Sequence, residues 1–354
     1  MVKKYYIGHF LKGLNDGGQS RNNAFRQYFI QKFAKIPSTY SCNPILRFIY
    51  LLNIMRIFLF SRNNEIFIHQ GTLLLLFPLP ILKFKGIREI VFKLLQHLSV
   101  RNSVTIEVND LPYEQAIDLE LVVNEVYKIF QDKLYPLKKV DFIFASHEMG
   151  KYIKGKFNSN YNVVINGSNE VRDFYNTKKV HDCFNSAETK YIYAGGLNKG
   201  RQIEALISKF ANRKEILILT GEWGEWLSDC KLPKNIYYLG KFEEDYVHYL
   251  ASKCDIGIIP YDESRFYYNI CYPTKASFYI TAGIPFLSTP LSELKNIFQN
   301  MGIAFFVPFA NWDLFITNLN KNKLAEIKYE INKVKSNFFW EELLNCYFNI
   351  NKIK

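Results

Sequence analysis

A single lysine, Lys275, stands in the mostly apolar run YNICYPTKASFYITAGIPFL at residues 268–287. An ammonium inside such a segment is unfavourable unless its stem carries it to water or it meets a counter-charge. Two readings therefore stay open, a snorkelling lysine or a cation prepared for an anion. A second cationic position follows a glycine pair in YAGGLNKGR, residues 193–201. Gly195 and Gly196 let a ligand approach the backbone, and Lys199 and Arg201 are expected in the first turn of the next helix. Positive charge there opposes the helix dipole unless an anion binds. The planar fork of Arg201 suits a diphosphate better than Lys199 does. A third loop, NDGGQSRNN at 15–23, puts Gly17 and Gly18 ahead of an expected helix AFRQYFIQKF, whose free N–H groups suit an anion. The chemistry common to all three is phosphate binding.

Candidates for handling a hydroxyl are fewer. In IEVNDLPYEQ, Glu107, Asn109 and Asp110 follow a strand, where a carboxylate could orient an acceptor or act as its base. Asp110 in N-D-L-P is equally an ordinary turn or cap residue. His147, in FASHEMG, reads as a surface or capping histidine, and no Ser-His-Asp arrangement is visible. Six cysteines, at 42, 183, 230, 254, 271 and 346, contain no C-x-x-C pair, which argues against a zinc site or disulfide framework and for reduced thiols in the cytoplasm.

Positioning these loops is the task of an alternating pattern. The strand-like runs YYIGHF, EIFIHQ, SVTIEV, VDFIFAS and YNVVING are separated by helix-length segments. The rhythm restarts with KYIYAGG, EILILTG, NIYYLG, CDIGIIP, GIPFLST and GIAFFVP. Near-continuous apolar strands alternating with helices predict two parallel α/β sheets in tandem. The expected division is residues 1–170, residues 171–335, and a final helix at 336–354 packing back across the boundary, with the polar stretch 169–190 as the link. Ligands in such sheets bind outside the carboxyl ends of the strands.

The charge is unevenly placed. Residues 1–101 hold 15 Lys and Arg against 3 Asp and Glu, leaving 30 of each in the remainder, so the whole excess of +12 lies in the first third. A basic surface of this kind attracts polyanions. With no helix-turn-helix, RNP-like or zinc-finger pattern, nucleic acid is not expected as a partner. Within the basic third, NPILRFIYLLNIMRIFLFSR at 43–62 sets Arg47, Arg56 and Arg62 among apolar residues. It reads either as a helix lying on an anionic membrane or as a buried helix with snorkelling arginines. The most apolar run, LLLLFPLPIL at 73–82, is too short to span a bilayer and carries two prolines.

The pattern P-x-K-x-x-x-Y-x-x-x-G-x-P from Pro273 to Pro285, following CDIGIIPYDES, resembles bacterial GT-B nucleotide-sugar glycosyltransferases of the group-1 type. The resemblance is closest to the branch of glucosyltransferases and galactofuranosyltransferases of surface-glycan synthesis. NDGGQS, IEVNDLPYE, VDFIFASHEMGKYI, VVINGSN, YAGGLNKGR and NIYYLGKF fall in the order of that family and extend the resemblance over nearly the whole chain. It implies a GT-B fold, α/β with two doubly wound Rossmann-like domains facing across a cleft. It also implies a UDP-type or dTDP-type sugar donor with its diphosphate at Gly195, Gly196, Arg201 and Lys275, and its base against Leu239, Gly240 and Lys241. The acceptor, a glycan or lipid-linked species, would bind the first domain. Lys275 and Arg201 would stabilise the departing diphosphate without a metal or other cofactor, with retention of configuration expected rather than inversion. The sequence departs from the commonest members of the wider family at two glutamates eight residues apart, the second of which holds the donor ribose; here Ile270 and Phe278 stand in their places, and Asn269, Tyr272 or Tyr279 would have to substitute for the ribose ligand. The expectation is a cytoplasmic enzyme peripheral to the membrane. The alternative is a catalytically silent GT-B partner of another transferase.

Overall fold

The computed structural model describes residues 2–8, 17–32, 44–174, 182–198 and 201–350. The chain forms two compact units, Met1–Ile165 with Leu344–Lys354, and Asn166–Leu343. Each of the apolar runs contains one strand, as continuous burial on both sheet faces requires.

In the first unit β1 (Lys4–Ile7), β2 (Glu65–His69), β3 (Ser103–Val108), β4 (Val140–Phe144) and β5 (Tyr161–Val163) pair in parallel and in chain order. The helix Gly17–Lys32 begins further upstream than its apolar pattern suggests. Its start is anchored by Arg21, fully buried, which binds Glu107 of β3 through Nε and the Val164 carbonyl through Nη1 at 2.7 Å. Gly17 and Gly18 are therefore the first helical residues, not a turn preceding the helix. The second carboxylate oxygen of Glu107 meets His69 Nδ1 at 2.5 Å, and His69 Nε2 meets the Tyr6 hydroxyl. This relay joins the first three strands to the helix.

The helix Pro44–Phe60 buries Ile54 and Phe58 but exposes Ile45, Phe48, Leu52 and Phe60. Pro78 separates the short helices Gln70–Leu76 and Leu79–Leu82. Among the described residues no helix is long and apolar enough to cross a membrane. From the last helix, Trp340–Ile350, Phe348 packs on Tyr28 and Phe29 of the first unit, with ring centres 5.1 and 5.2 Å apart.

In the second unit β6 (Lys190–Ala194), β7 (Ile216–Thr220), β8 (Ile236–Tyr238), β9 (Ile256–Ile259), β10 (Phe286–Ser288) and β11 (Ala304–Phe306) form a parallel sheet of order β8-β7-β6-β9-β10-β11. Winding reverses between β6 and β9, the switch point at which open α/β sheets leave a crevice outside the carboxyl ends of their strands. Among the described strands this reversal belongs to the second unit. The segment Asn166–Ser168 is part of that unit because its polar groups are satisfied there. Asn166 Nδ2 donates to the Tyr272 carbonyl at 3.0 Å, and Ser168 exchanges backbone bonds with Phe338 and Trp340.

Candidate functional site

Two loops meet at the switch point, one after β6 and one after β9. Pro273 stands at the head of the helix Thr274–Thr281, whose Ala276, Ser277, Tyr279 and Ile280 are buried. That leaves the half-buried Lys275 to reach along the sheet's carboxyl edge. Its Nζ donates to the Tyr261 hydroxyl at 3.1 Å and lies 5.2 and 5.5 Å from the ring centres of Tyr193 and Tyr261, within cation–π range. A Cβ at residue 195 would stand 2.6 Å from both Cε and Nζ of Lys275, and Gly195 has φ +141°. Only glycine accommodates both the conformation and the contact. Gly221, after β7, is held to the same residue type, since a Cβ there would lie 1.9 Å from the Gly195 carbonyl oxygen. The turn that cradles Lys275 is thus locked between two strands.

Arg201 joins this group from a position different from the expected one. The helix after β6 is Ile203–Phe210, preceded by Gln202 in the left-handed region at φ 59°, so Arg201 lies ahead of it and not in its first turn. A residue outside the helix can turn its side chain back over the sheet edge. The Tyr261, Tyr268 and Tyr193 phenols lie close enough to the guanidinium to act on its charge. Tyr268 stacks on Tyr261 with ring centres 4.5 Å apart. Lys199 lies outside the described residues.

Burial opposes both charges, but the surrounding phenols outweigh it and hold Lys275 and Arg201 above their ordinary ranges, so both are cationic at neutral pH. Burial in turn pushes the Tyr193 phenol up to about 12 against the pull of Lys275, and does the same to Tyr268, pulled by Arg201. Among the described residues neither cation has a carboxylate at ion-pair distance, and each disfavours the other. Two like charges among tyrosine side chains, with no acidic partner among the described residues, are unfavourable until an anion joins them.

The loop after β8 is partly committed to the fold. The Leu239 N–H bonds the Leu219 carbonyl at 2.9 Å, and the Gly240 carbonyl accepts from the Gly221 N–H and the Thr220 hydroxyl. Lys241 is exposed and pairs with Glu222 at 2.6 Å. The backbone groups expected to read a base are therefore fewer than the sequence suggests.

The expected substitutes for the ribose ligand have structural roles. Tyr279 is fully buried, with its hydroxyl accepting from the Ala194 N–H at 3.0 Å and donating to the Ile258 carbonyl at 3.3 Å. Tyr272 is buried against Phe298 and bonds Ser277 at 2.7 Å. The Asn269 amide donates to the Glu263 and Arg265 carbonyls, and its oxygen accepts from Ser292. Phe278 packs on His248 at 4.5 Å and Ile270 is buried, so neither position presents a polar group.

In the first unit Glu107 is not a rim carboxylate but the buried centre of the Arg21–His69 relay. Burial pushes its carboxyl up, yet Arg21 and His69 hold it at about 2. Asp110 is exposed beyond the end of β3, and His147 is the exposed first residue of the helix His147–Phe157, capped by Ser146. Among the described residues no three His, Cys, Asp or Glu side chains converge as metal ligands.

Sequence reasoning missed Tyr193, Tyr261 and Tyr268 as the walls of the site. The available signal was position for two of them, since Tyr193 lies at the end of β6 and Tyr261 just beyond β9, the strands flanking the reversal, whereas Tyr268 comes from the helix Phe266–Ile270 further along the β9 loop.

The fold these units define is GT-B. Sucrose-phosphate synthase from Thermosynechococcus elongatus shares it at TM-score 0.65 and 11% identity, covering 99% of this chain and 98% of that one. Anabaena HepE in complex with UDP aligns at TM-score 0.62 and 10% identity over 100% of both chains. WaaG, a glycosyltransferase involved in lipopolysaccharide biosynthesis, aligns at TM-score 0.59 and 8% identity over 97% and 99%. No family model and no curated protein matches the sequence.

Proposed function

We propose that the chain is a glycosyltransferase that moves a hexose from a UDP-type nucleotide sugar to a surface-glycan or lipid-linked acceptor. The observation that carries this reading is the pair Lys275 and Arg201, half-buried among tyrosines at the switch point with, among the described residues, no carboxylate beside either. As the bond between anomeric carbon and phosphate breaks, negative charge grows on the diphosphate while the sugar becomes oxocarbenium-like. Preorganised cations lower that barrier and need no metal to do so. The UDP complexes of HepE, on the same fold, support the donor class. Retention of configuration follows the group-1 resemblance, and Asp110 remains the proposed acceptor-side carboxylate.

The exposed apolar residues of the helix Pro44–Phe60 lie in the same unit as Ile81, Phe84, Ile87 and Ile90, among the cations of the basic third. Exposed apolar residues in a basic unit fit an anionic membrane and support a peripheral location on it. The apolar Ile270 and Phe278 favour a second reading, a silent partner with weakened donor binding.

Thermal-shift titration with UDP, dTDP and their sugars tests both, because a ligand bound only by the folded form raises its melting temperature, by about 2.7 kcal/mol of stability at a hundredfold excess over Kd. Stabilisation by UDP together with UDP release from a UDP-sugar supports the transferase. No stabilisation by any nucleotide at millimolar concentration leaves the silent partner.

A further inference from the structure

Between the diphosphate turn and the loop after β8 stands an indole that the sequence reading passed over. Trp223 is 57% exposed, although an exposed tryptophan is an unusual surface residue, and its backbone sits at φ +57°, a left-handed conformation uncommon for a bulky side chain. Strain of this kind persists only where the surroundings enforce it, and it clusters at ligand sites.

The enforcement is visible on both sides. The Leu197 N–H donates to the Glu222 carbonyl at 2.8 Å, and the Leu197 carbonyl accepts from Trp226 Nε1 at 2.7 Å. The peptide before Trp223 and the indole three residues after it are thus clamped by one residue of the β6 loop. Gly221 is bonded to Gly240, and Glu222 to Lys241, which tie the turn to the β8 loop as well. Trp226 tucks inward, whereas Trp223 is left facing out.

Its location gives it a use. The six-membered part of the Trp223 ring would lie 3.2 Å from a Cβ on Gly196, the neighbour of the glycine that touches the Lys275 ammonium. A flat apolar surface therefore borders the same two-residue turn that borders the cation. A ligand with an anionic group joined to a planar ring matches that pair, and a nucleoside diphosphate has this form.

Building on the donor reading above, we infer that Trp223 is the stacking platform for the planar base of the nucleotide and so a donor-binding residue. The rigid indole loses little freedom on binding, and base–aromatic stacking tolerates several bases. The loop's hydrogen bonds hold it ready.

Calorimetric titration of the full chain with UDP and, separately, with inorganic pyrophosphate tests this. Trp223→Asn removes the ring while tolerating the left-handed backbone, and Trp223→Phe keeps a ring. Trp223→Asn is expected to weaken UDP roughly 5- to 150-fold, to leave pyrophosphate affinity unchanged and to melt no lower than the parent; Trp223→Phe retains most of the UDP affinity. Equal UDP affinity in the parent and Trp223→Asn overturns the stacking role while leaving the donor reading intact. Parallel loss of UDP and pyrophosphate also overturns it, by showing that the residue merely shapes the turn. If the parent binds neither, the donor reading falls and the stacking role with it.

Discussion

Replacing Lys275 by Met separates a cation kept for a ligand from one kept for the fold. In the folded chain Nζ has one hydrogen-bond partner, the Tyr261 hydroxyl, and no carboxylate among the described residues. Its removal strands no opposite charge and relieves Arg201 of a like-charged neighbour. The lost hydrogen bond costs about 1 kcal/mol, and the apolar methionine stem restores the packing of the lysine methylenes. Net stability should change by no more than about 1 kcal/mol, a shift of roughly 2 °C in melting temperature. Toward a diphosphate the loss is larger. An ammonium about 4 Å from a phosphate oxygen at an effective dielectric near 20 gains about 4 kcal/mol, which solvent and the remaining Arg201 reduce to about 2–3 kcal/mol, or roughly 30- to 150-fold in UDP affinity. Calorimetry with UDP and melting curves without ligand read the two quantities on one preparation. A variant that binds UDP as the parent does, or whose ligand-free melting temperature drops by more than about 5 °C, refutes the assignment.

Glu107→Gln should destabilise the first unit by about 3 kcal/mol or more in chemical denaturation, because it leaves buried Arg21 without its counter-charge; a loss below about 1 kcal/mol would show the relay to be dispensable. Acid lability should come in two steps. His248 is buried, which lowers its pKa to about 4, so its contribution is complete above the unfolded value near 6.5 and is lost as pH falls toward 4. Glu107, held at about 2, adds a loss below about 4.5 that a Glu107→Gln variant should lack, and a pH-independent stability between 7 and 4 would contradict the first step. Changing Phe48, Phe60 and Phe84 together to Ser should abolish sedimentation with anionic vesicles while UDP binding stays at the parental level; undiminished vesicle binding would remove this face from membrane contact.

The sequence by itself determined the strands, the reach of the cations and the basic first third. Parallel strands are buried on both faces, so each appears as a short unbroken apolar run, and all of those quoted carry one. The glycine pair at 195–196 and the isolated Lys275 were legible because each breaks a local rule, the first of side-chain content and the second of burial. Only the tertiary structure decided which neighbours those residues have. Tyr279 and Tyr272 look like ligand contacts beside Lys275 in the chain, but both are buried, the Tyr279 hydroxyl engaged by the Ala194 N–H and the Ile258 carbonyl of β6 and β9 and the Tyr272 hydroxyl by Ser277. Tyr193, Tyr261 and Tyr268 come together across 75 residues because winding reverses between β6 and β9, and strand order leaves no mark in local periodicity. Likewise Glu107 looked like a free rim carboxylate until Arg21, 86 positions away, proved to be its partner. Local composition encodes the elements, whereas the electrostatic partners of a residue are set by long-range pairing.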